Sequence, residues 1–280
     1  MMTKSIVITG ASKGIGRATA LHLAAQGYHV FAGIRNPADG EALQAEVGEW
    51  LTPLQIDVTD EGQIATAANQ VTATVGDAGL AGLINNAGVA VAAPLEFIAI
   101  EELRNQLEIN VVGQIAVTQA FLPLLRQARG RIINISSMGG RVAGPLTGPY
   151  HASKFALEAL TDSLRCELVP WGIEVVGIEP GTIATPIWET SLARAQGMID
   201  TFPPLAHELY GKQMANRIVR AQQSATKGIS PSRVAEVIAK ALAARRPRTR
   251  YLVGTDAKIA GHIVTRLPDR WRDWLILRQG

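Results

Sequence analysis

Two short stretches carry residue types that could do chemistry together. Thr9-Gly10-Ala-Ser-Lys-Gly14-Ile-Gly16 sets three glycines between an apolar run and a helix-period segment. Such a turn suits a pyrophosphate: Gly10 permits the tight turn, Gly14 lets backbone approach the phosphates, and Gly16 lets the helix pack close. Ser12, Lys13 and Ile15 complete the turn. Tyr150-His-Ala-Ser-Lys154 sets a phenol and an ammonium four residues apart, on one face of a helix. A free phenol titrates at about 10, too high for a base at neutral pH, and an adjacent ammonium favours the phenolate. A dinucleotide beside such an acid/base pair could move a hydride and a proton. Alone, the first stretch is also compatible with an ordinary strand–helix turn, and the second with an amphipathic helix.

The elements around these stretches follow a regular alternation. Ser5–Thr9, His29–Ile34, Pro53–Ile56, Leu83–Asn85, Arg131–Ile135, Glu174–Ile178 and Tyr251–Val253 read as strands. Helical spacing covers Ile15 to Gln26, Asp60 to Val75, Glu101–Leu125 and Pro149–Val169. A further helix starts at Ser230-Pro231, a capping serine with proline at the first position. Strands apolar on both faces, alternating with helices, predict an α/β Rossmann fold: one doubly wound parallel sheet of seven strands covered on both faces. Ligands in such sheets bind at the carboxyl ends of the strands. The polar and glycine residues cluster there: Gly10–Gly16, Arg35, Asp57, Asn86–Gly88, Ser136 and Ser137, and Pro180-Gly181. No repeat or interdomain linker is visible, so residues 1–280 read as one domain with an insertion at 186–227 and a helical tail at 256–280.

Taken in order, these elements resemble the short-chain dehydrogenase/reductase family. They are the glycine turn, Asn85-Asn86-Ala87-Gly88, Asn110, Ser137 thirteen residues before Tyr150, Tyr-x-x-x-Lys, and Pro180-Gly181. The likeness spans roughly Lys4 to Pro186. Ile135-Ser-Ser-Met-Gly-Gly-Arg141, Ser163-Leu-Arg-Cys-Glu-Leu168 and Ile178-Glu-Pro-Gly181 are similar to the 17β-hydroxysteroid and retinol dehydrogenase branch.

The resemblance implies roles for matching residues. Tyr150 is the general acid/base, Lys154 lowers its pKa and binds the nicotinamide ribose, and Ser137 hydrogen-bonds the substrate oxygen. Asn110 kinks its helix and holds a water that links Lys154 to solvent. Asp57 and Val58 contact the adenine; Thr182, Ile183 and Thr185 lie over the nicotinamide. Asn86, Ala87, Gly88, Pro180 and Gly181 complete the cofactor site. Ser136 reads as a turn hydroxyl bonded to backbone, and His151 as a packing residue. No metal is required, because Tyr150 and Ser137 polarise the carbonyl.

Charge selects the cofactor. NAD-binding members carry an acid at the end of the second strand. Here Gly33-Ile34-Arg35-Asn36 has none before Asp39, and Arg35, with Lys13, suits the 2′-phosphate of NADP. NADP is therefore expected, with NAD the alternative. The insertion carries Ile187, Trp188, Leu192, Met198, Ile199, Phe202 and Met214. A series like this reads first as core, yet it must pack over the site. Ile187 and Trp188, with Gly139 and Val142, then make apolar pocket walls. The expected substrate is a lipophilic secondary alcohol or its ketone. A retinol-type primary alcohol and a 3-oxoacyl group are the alternatives, and a non-catalytic NADP-sensing protein is the reading from a different class.

Composition limits the rest. Hydrophobic residues make up 47% and charged residues 18%, enough for a sizeable core. The single Cys166 allows no internal disulfide and no cysteine-built metal site; it suggests a reducing, cytoplasmic setting and reads as a buried thiol. No signal segment opens the chain. The apolar stretch Leu80–Ile100 carries Asn85, Asn86 and Glu96 and is not a membrane span. From Arg245 onward nine basic residues face three acids, a tail of +6 in a chain of +3, so the body is acidic and no nucleic-acid partner is expected. Leu267, Trp271, Trp274 and Leu275 form a helical stripe in that tail. It is expected to pack on its own domain or a sister subunit, with a membrane surface as the alternative. Pairing through the two long helices would give a homodimer or homotetramer, by resemblance.

Overall fold

Apolar runs with no polar face can only be satisfied inside a sheet covered on both sides. In the computed structural model, which describes residues 4–279, seven such runs form one parallel sheet. They are β1 (Ser5–Ile8), β2 (His29–Ile34), β3 (Leu51–Gln55), β4 (Gly82–Asn85), β5 (Arg131–Ile135), β6 (Glu174–Pro180) and β7 (Arg250–Val253). Their order is β3-β2-β1-β4-β5-β6-β7, all parallel. The order reverses between β1 and β4, and a crevice opens there at the carboxyl ends.

Helices cover both faces. One side carries α1 (Gly14–Ala25), α2 (Pro37–Val47) and α9 (Pro231–Ala243), whose Leu23, Leu43, Val234 and Ile238 bury against Ile6, Ile8 and Val176. The other carries α3 (Glu61–Val75), α5 (Gly113–Ala128) and α6 (Gly148–Glu167), around Phe31, Phe121, Leu83 and Val7. Fully buried leucine, isoleucine and phenylalanine side chains each contribute roughly 1.5–3 kcal/mol by leaving water. Buried amides within the sheet are paired: Asn85 donates to Thr118 and Asn134 at 2.9 Å each, and Asn134 donates to Thr161 at 2.8 Å. Arg131 Nη2 donates to the Ala244 carbonyl at 3.0 Å, serving the exposed end of α9.

Several expectations change in detail. The long helix is α4 (Ile100–Leu107) and α5 joined by a π-helical turn over Glu108–Val112, with Asn110 buried in the turn. The kink expected there takes this form. Helix α2 is absent from the sequence reading, because its weakly apolar pattern hides behind Asn36, which caps it by accepting from Ala38 N. By length and composition, Ile100–Ala128 is the one membrane-span candidate among the described residues, rather than anything in Leu80–Ile100. In this fold the same stretch supplies Phe121, Leu124 and Leu125 to the core. Cys166 is exposed, not buried, because it sits on the outer side of the last turn of α6.

The insertion folds as α7 (Ile187–Ile199) and α8 (Pro204–Lys227). The tail folds as α10 (Thr255–His262) and α11 (Asp269–Gln279). The expected packing stripe on α11 is not covered by the chain's own domain: Trp271 is 66% and Trp274 48% exposed. Leu275 and Ile276 are partly buried instead, and Ile276 reaches toward Gly144. Apolar residues ring this short helix, so spacing alone did not choose its docked face. The Arg278 guanidinium stacks over Trp274 at 4.0 Å.

Candidate active site

The glycine turn is shaped by sterics. Gly10 and Gly14 adopt φ of +65° and +57°, which L side chains rarely occupy. A Cβ on Gly16 would stand 2.3 Å from the Gly10 carbonyl oxygen. Helix α1 opens directly from the turn with no side-chain cap and no acid in its first turn. Its first amides are thus free for an anion. Thr9 Oγ1 accepts from the amides of Asn86 and Ala87 at 3.0 Å each, and Asn86 Nδ2 donates to the carbonyls of Thr9 and Gly10. Thr9 is a positioning residue that the sequence reading passed over; its place before the first glycine was the available signal.

A cleft of about 1610 Å³, open to solvent, runs along the strand ends. It brings together Gly10, Ser12, Lys13, Gly14 and Ile15 with Arg35, Asp57 and Val58. Asn86, Ala87, Gly88, Pro180, Gly181, Ile183 and Thr185 line its middle. Ser137, Tyr150, Lys154, Ile187 and Trp188 close its far end. These residues fit a dinucleotide: a glycine cradle that a Cβ would fill, an uncapped helix terminus, and a cation at the end of β2. Arg35 is 74% exposed along its side chain, with the Asp57 carboxylate 4.0 Å away.

Some expected members lie outside the cleft. Gly16 sits behind the turn. Gly139 and Val142 do not line the wall: a Cβ on Gly139 would meet His151 Nδ1 at 2.8 Å and the Tyr150 ring at 3.1 Å, so this backbone packs behind the catalytic helix. The Thr182 amide turns away to donate to Asp256 Oδ2 at 2.7 Å. Asp256 of α10 thereby fixes the loop after β6, at a distance in sequence that no local pattern reveals.

Of the titratable pair, Lys154 is buried and Tyr150 half-buried. Lys154 Nζ donates to the Ile135 carbonyl at 2.8 Å and lies 5.9 Å from the centre of the Tyr150 ring. Burial lowers the Lys154 ammonium to about 8, while Glu158 one turn on acts the other way. Burial raises the Tyr150 phenol above its ordinary value, against the Ser137 hydroxyl and the Arg217 charge. The direction is opposite to the sequence expectation, because desolvation outweighs a lysine held on a backbone carbonyl. Ser137 Oγ accepts from Gly139 N at 3.0 Å, which orients it. The Ser136 hydroxyl, expected to bond backbone, is buried with no hydrogen-bond partner among the described residues.

Asn110 braces rather than faces this pair. Its Oδ1 accepts from Val89 N at 2.9 Å, and its Nδ2 donates to Val89 O and Ser153 Oγ. His151 bonds Gly139 O at 3.0 Å and Thr147 Oγ1 at 2.8 Å, and burial lowers its pKa. Both ring nitrogens are thereby engaged, as a packing residue requires.

Known proteins share this arrangement. The family model described as short chain dehydrogenase matches residues 4–196. Retinol dehydrogenase 5 of Mus musculus is 38% identical over 285 residues, covering 98% of this chain and 89% of its own. Human 17-beta-hydroxysteroid dehydrogenase type 6 is 35% identical over 283 residues, covering 99% and 89%. A short chain dehydrogenase from Burkholderia cenocepacia, solved in complex with NADP, superposes with a TM-score of 0.74 at 26% identity, over 99% of this chain and 97% of its own. The chain belongs to the short-chain dehydrogenase/reductase family, in the retinol and hydroxysteroid dehydrogenase branch, and is by class an NAD(P)-dependent alcohol dehydrogenase/ketoreductase.

Proposed function

We propose that the protein is an NADP-dependent reductase of a lipophilic ketone, running in reverse as a secondary-alcohol dehydrogenase. The observation that carries this reading is the Tyr150–Ser137–Lys154 group at one end of a cleft whose other end carries Arg35 and no acid on β2. When bound, the nicotinamide supplies or accepts the hydride. Ser137, oriented by Gly139 N, holds the substrate oxygen. Tyr150 stays protonated at neutral pH because burial raises its pKa, so it is ready to donate to a developing alkoxide. Lys154, at about 8, is still charged at pH 7 and stabilises the phenolate left behind. The Asn110 amide, in the π turn, donates to Ser153 on the catalytic helix and so braces that helix.

The pocket walls come from Ile187 and Trp188, and apolar side chains of α7 and α8 extend beyond them. A bulky apolar substrate follows. Two other surfaces have readings of the same standing. Val112 and Phe155, exposed on the long helices, suit a homodimer or homotetramer contact. Trp271, Trp274 and Leu277, exposed in a tail of +6, suit peripheral contact with an anionic membrane. The test of the catalytic reading is a screen of lipophilic ketones and aldehydes with NADPH and NADH, following absorbance at 340 nm. Ketone-dependent oxidation that prefers NADPH is expected. Tight cofactor binding without turnover across the whole panel would instead favour a cofactor-sensing protein.

A further inference from the structure

The substrate cover holds a cation, Arg217, that no carboxylate pairs with among the described residues. Arg217 sits on α8 and lines a small apolar hollow with Ala93, Leu146, Leu192, Ile199 and Met214. Its Nε is buried with no hydrogen-bond partner, and no carboxylate pairs with it, among the described residues. Its nearest companion is a π face: the guanidinium lies 5.8 Å from the Trp188 ring. Another arginine of the cover, Arg194, behaves differently. Arg194 is tied to Glu102 at 2.6 Å, a contact that staples α7 to α4. Arg217 staples nothing, and its charge is felt at Tyr150 and His151. The hollow adjoins the cleft, since Ser191 lines both.

A buried donor without a partner is costly, and native structures rarely keep one idle; in Arg217, itself half-buried, that donor is Nε. Its five donors match the paired oxygens of a carboxylate, sulfonate or phosphate. We infer that Arg217 anchors an anionic group of the substrate, so that the substrate is an amphiphile with an oxyanion near its carbonyl and an apolar body against Ile187 and Trp188 of the cleft. This inference rests on the ketone-reductase reading and narrows it. The oxyanion would repair the orphaned donor, and the Trp188 ring would hold the guanidinium plane in place.

The test pairs substrates that differ only in charge. A long-chain 4-oxo acid and its methyl ester are reduced with NADPH by wild type, Arg217→Met and Arg217→Lys. Wild type should prefer the acid through KM. Arg217→Met should lose about ten- to hundredfold in kcat/KM for the acid, the worth of a charge-assisted contact, and far less for the ester. Arg217→Lys should recover part of the loss. A wild type that prefers the ester, or equal losses on both substrates, would overturn the anchor; equal losses would leave Arg217 acting only on Tyr150. A second arm needs no turnover: calorimetric titration of decanoate, decanesulfonate and decanol into the NADP-loaded protein. Binding of either anion that Arg217→Met abolishes supports the anchor and identifies the preferred oxyanion, even if both ketones prove inert and the reductase reading fails. Equal binding of the alcohol and the anions would reject it.

Discussion

Lys154 holds its ammonium 5.9 Å from the centre of the Tyr150 ring while donating to the Ile135 carbonyl. The charge is buried on a backbone oxygen and costs stability. Its folded pKa, about 8, lies below the ordinary 10.5. The unfolded chain therefore binds more protons between those values, and this group makes the fold more stable as pH rises through that window. The gap corresponds to roughly 3 kcal/mol of penalty at neutral pH. Lys154→Met should melt higher than wild type at pH 7, with the difference shrinking toward pH 10.5, while reductase activity is lost. Melting curves at both pH values check this. A variant that melts lower at pH 7 would show that the lysine stabilises the fold.

Cofactor choice turns on Arg35. It stands exposed at the end of β2, and the Asp57 carboxylate, in the loop after the neighbouring strand β3, is 4.0 Å away. Arg35→Asp removes a partner for the 2′-phosphate and supplies an acid for a 2′-hydroxyl. NADP affinity should fall about ten- to hundredfold. NAD affinity should hold or improve. Titration of both cofactors into both proteins decides it; unchanged discrimination would move the selectivity to Lys13 or make NAD the native cofactor.

The glycine cradle is tested by added methyl groups. Gly16→Ala would drive a Cβ against the Gly10 carbonyl and Asn86 Nδ2. Thermal stability and NADPH affinity should both drop, the latter more than about tenfold by loss of the phosphate turn. Gly211→Ala, inside α8 with nothing within 4 Å of its Cβ, is the control. It should raise stability by about 0.5–1 kcal/mol. Unchanged cofactor binding in Gly16→Ala would contradict the cradle.

The strands and the glycine, Asn-Asn-Ala-Gly and Tyr-x-x-x-Lys stretches were legible because their patterns are local. Where strand ends shifted it was by one or two residues, as with β6, which continues through Glu179 and Pro180. Long-range pairings were not legible. Asp256 reaches back to Thr182, Glu102 reaches Arg194, and Asn110 reaches Val89 and Ser153, each through the folded chain alone. The pKa direction of Tyr150 was misread for the same reason, since burial is a property of the whole fold. Of the stretches Gly139-Gly140 and Val142–Leu146 expected in the pocket wall, Leu146 lines the hollow under the cover, while Gly139 and Val142 do not line the cleft and the Gly139 backbone packs against Tyr150 and His151.

The tail makes a separate prediction. Trp271, Trp274 and Leu277 face outward among basic residues. The full-length protein should cosediment with anionic vesicles. That binding should weaken with salt, since attraction to lipid is screened over about 10 Å at 0.1 M. Deleting residues after Pro268 should abolish it and leave reduction of a soluble ketone intact. A large fall in melting temperature, with no vesicle binding in either form, would make α11 a packing element.

The central claim is that Tyr150 supplies the proton. The most direct measurement is single-turnover NADPH oxidation with a ketone substrate by wild type and Tyr150→Phe, alongside NADPH binding by fluorescence. The substitution keeps the ring on the Gly139 backbone and removes only the hydroxyl. The account predicts unchanged cofactor binding and a rate lower by about 10²–10⁴-fold, toward the upper end. A variant that binds NADPH and retains more than about a tenth of the wild-type rate, outside that range, would contradict it.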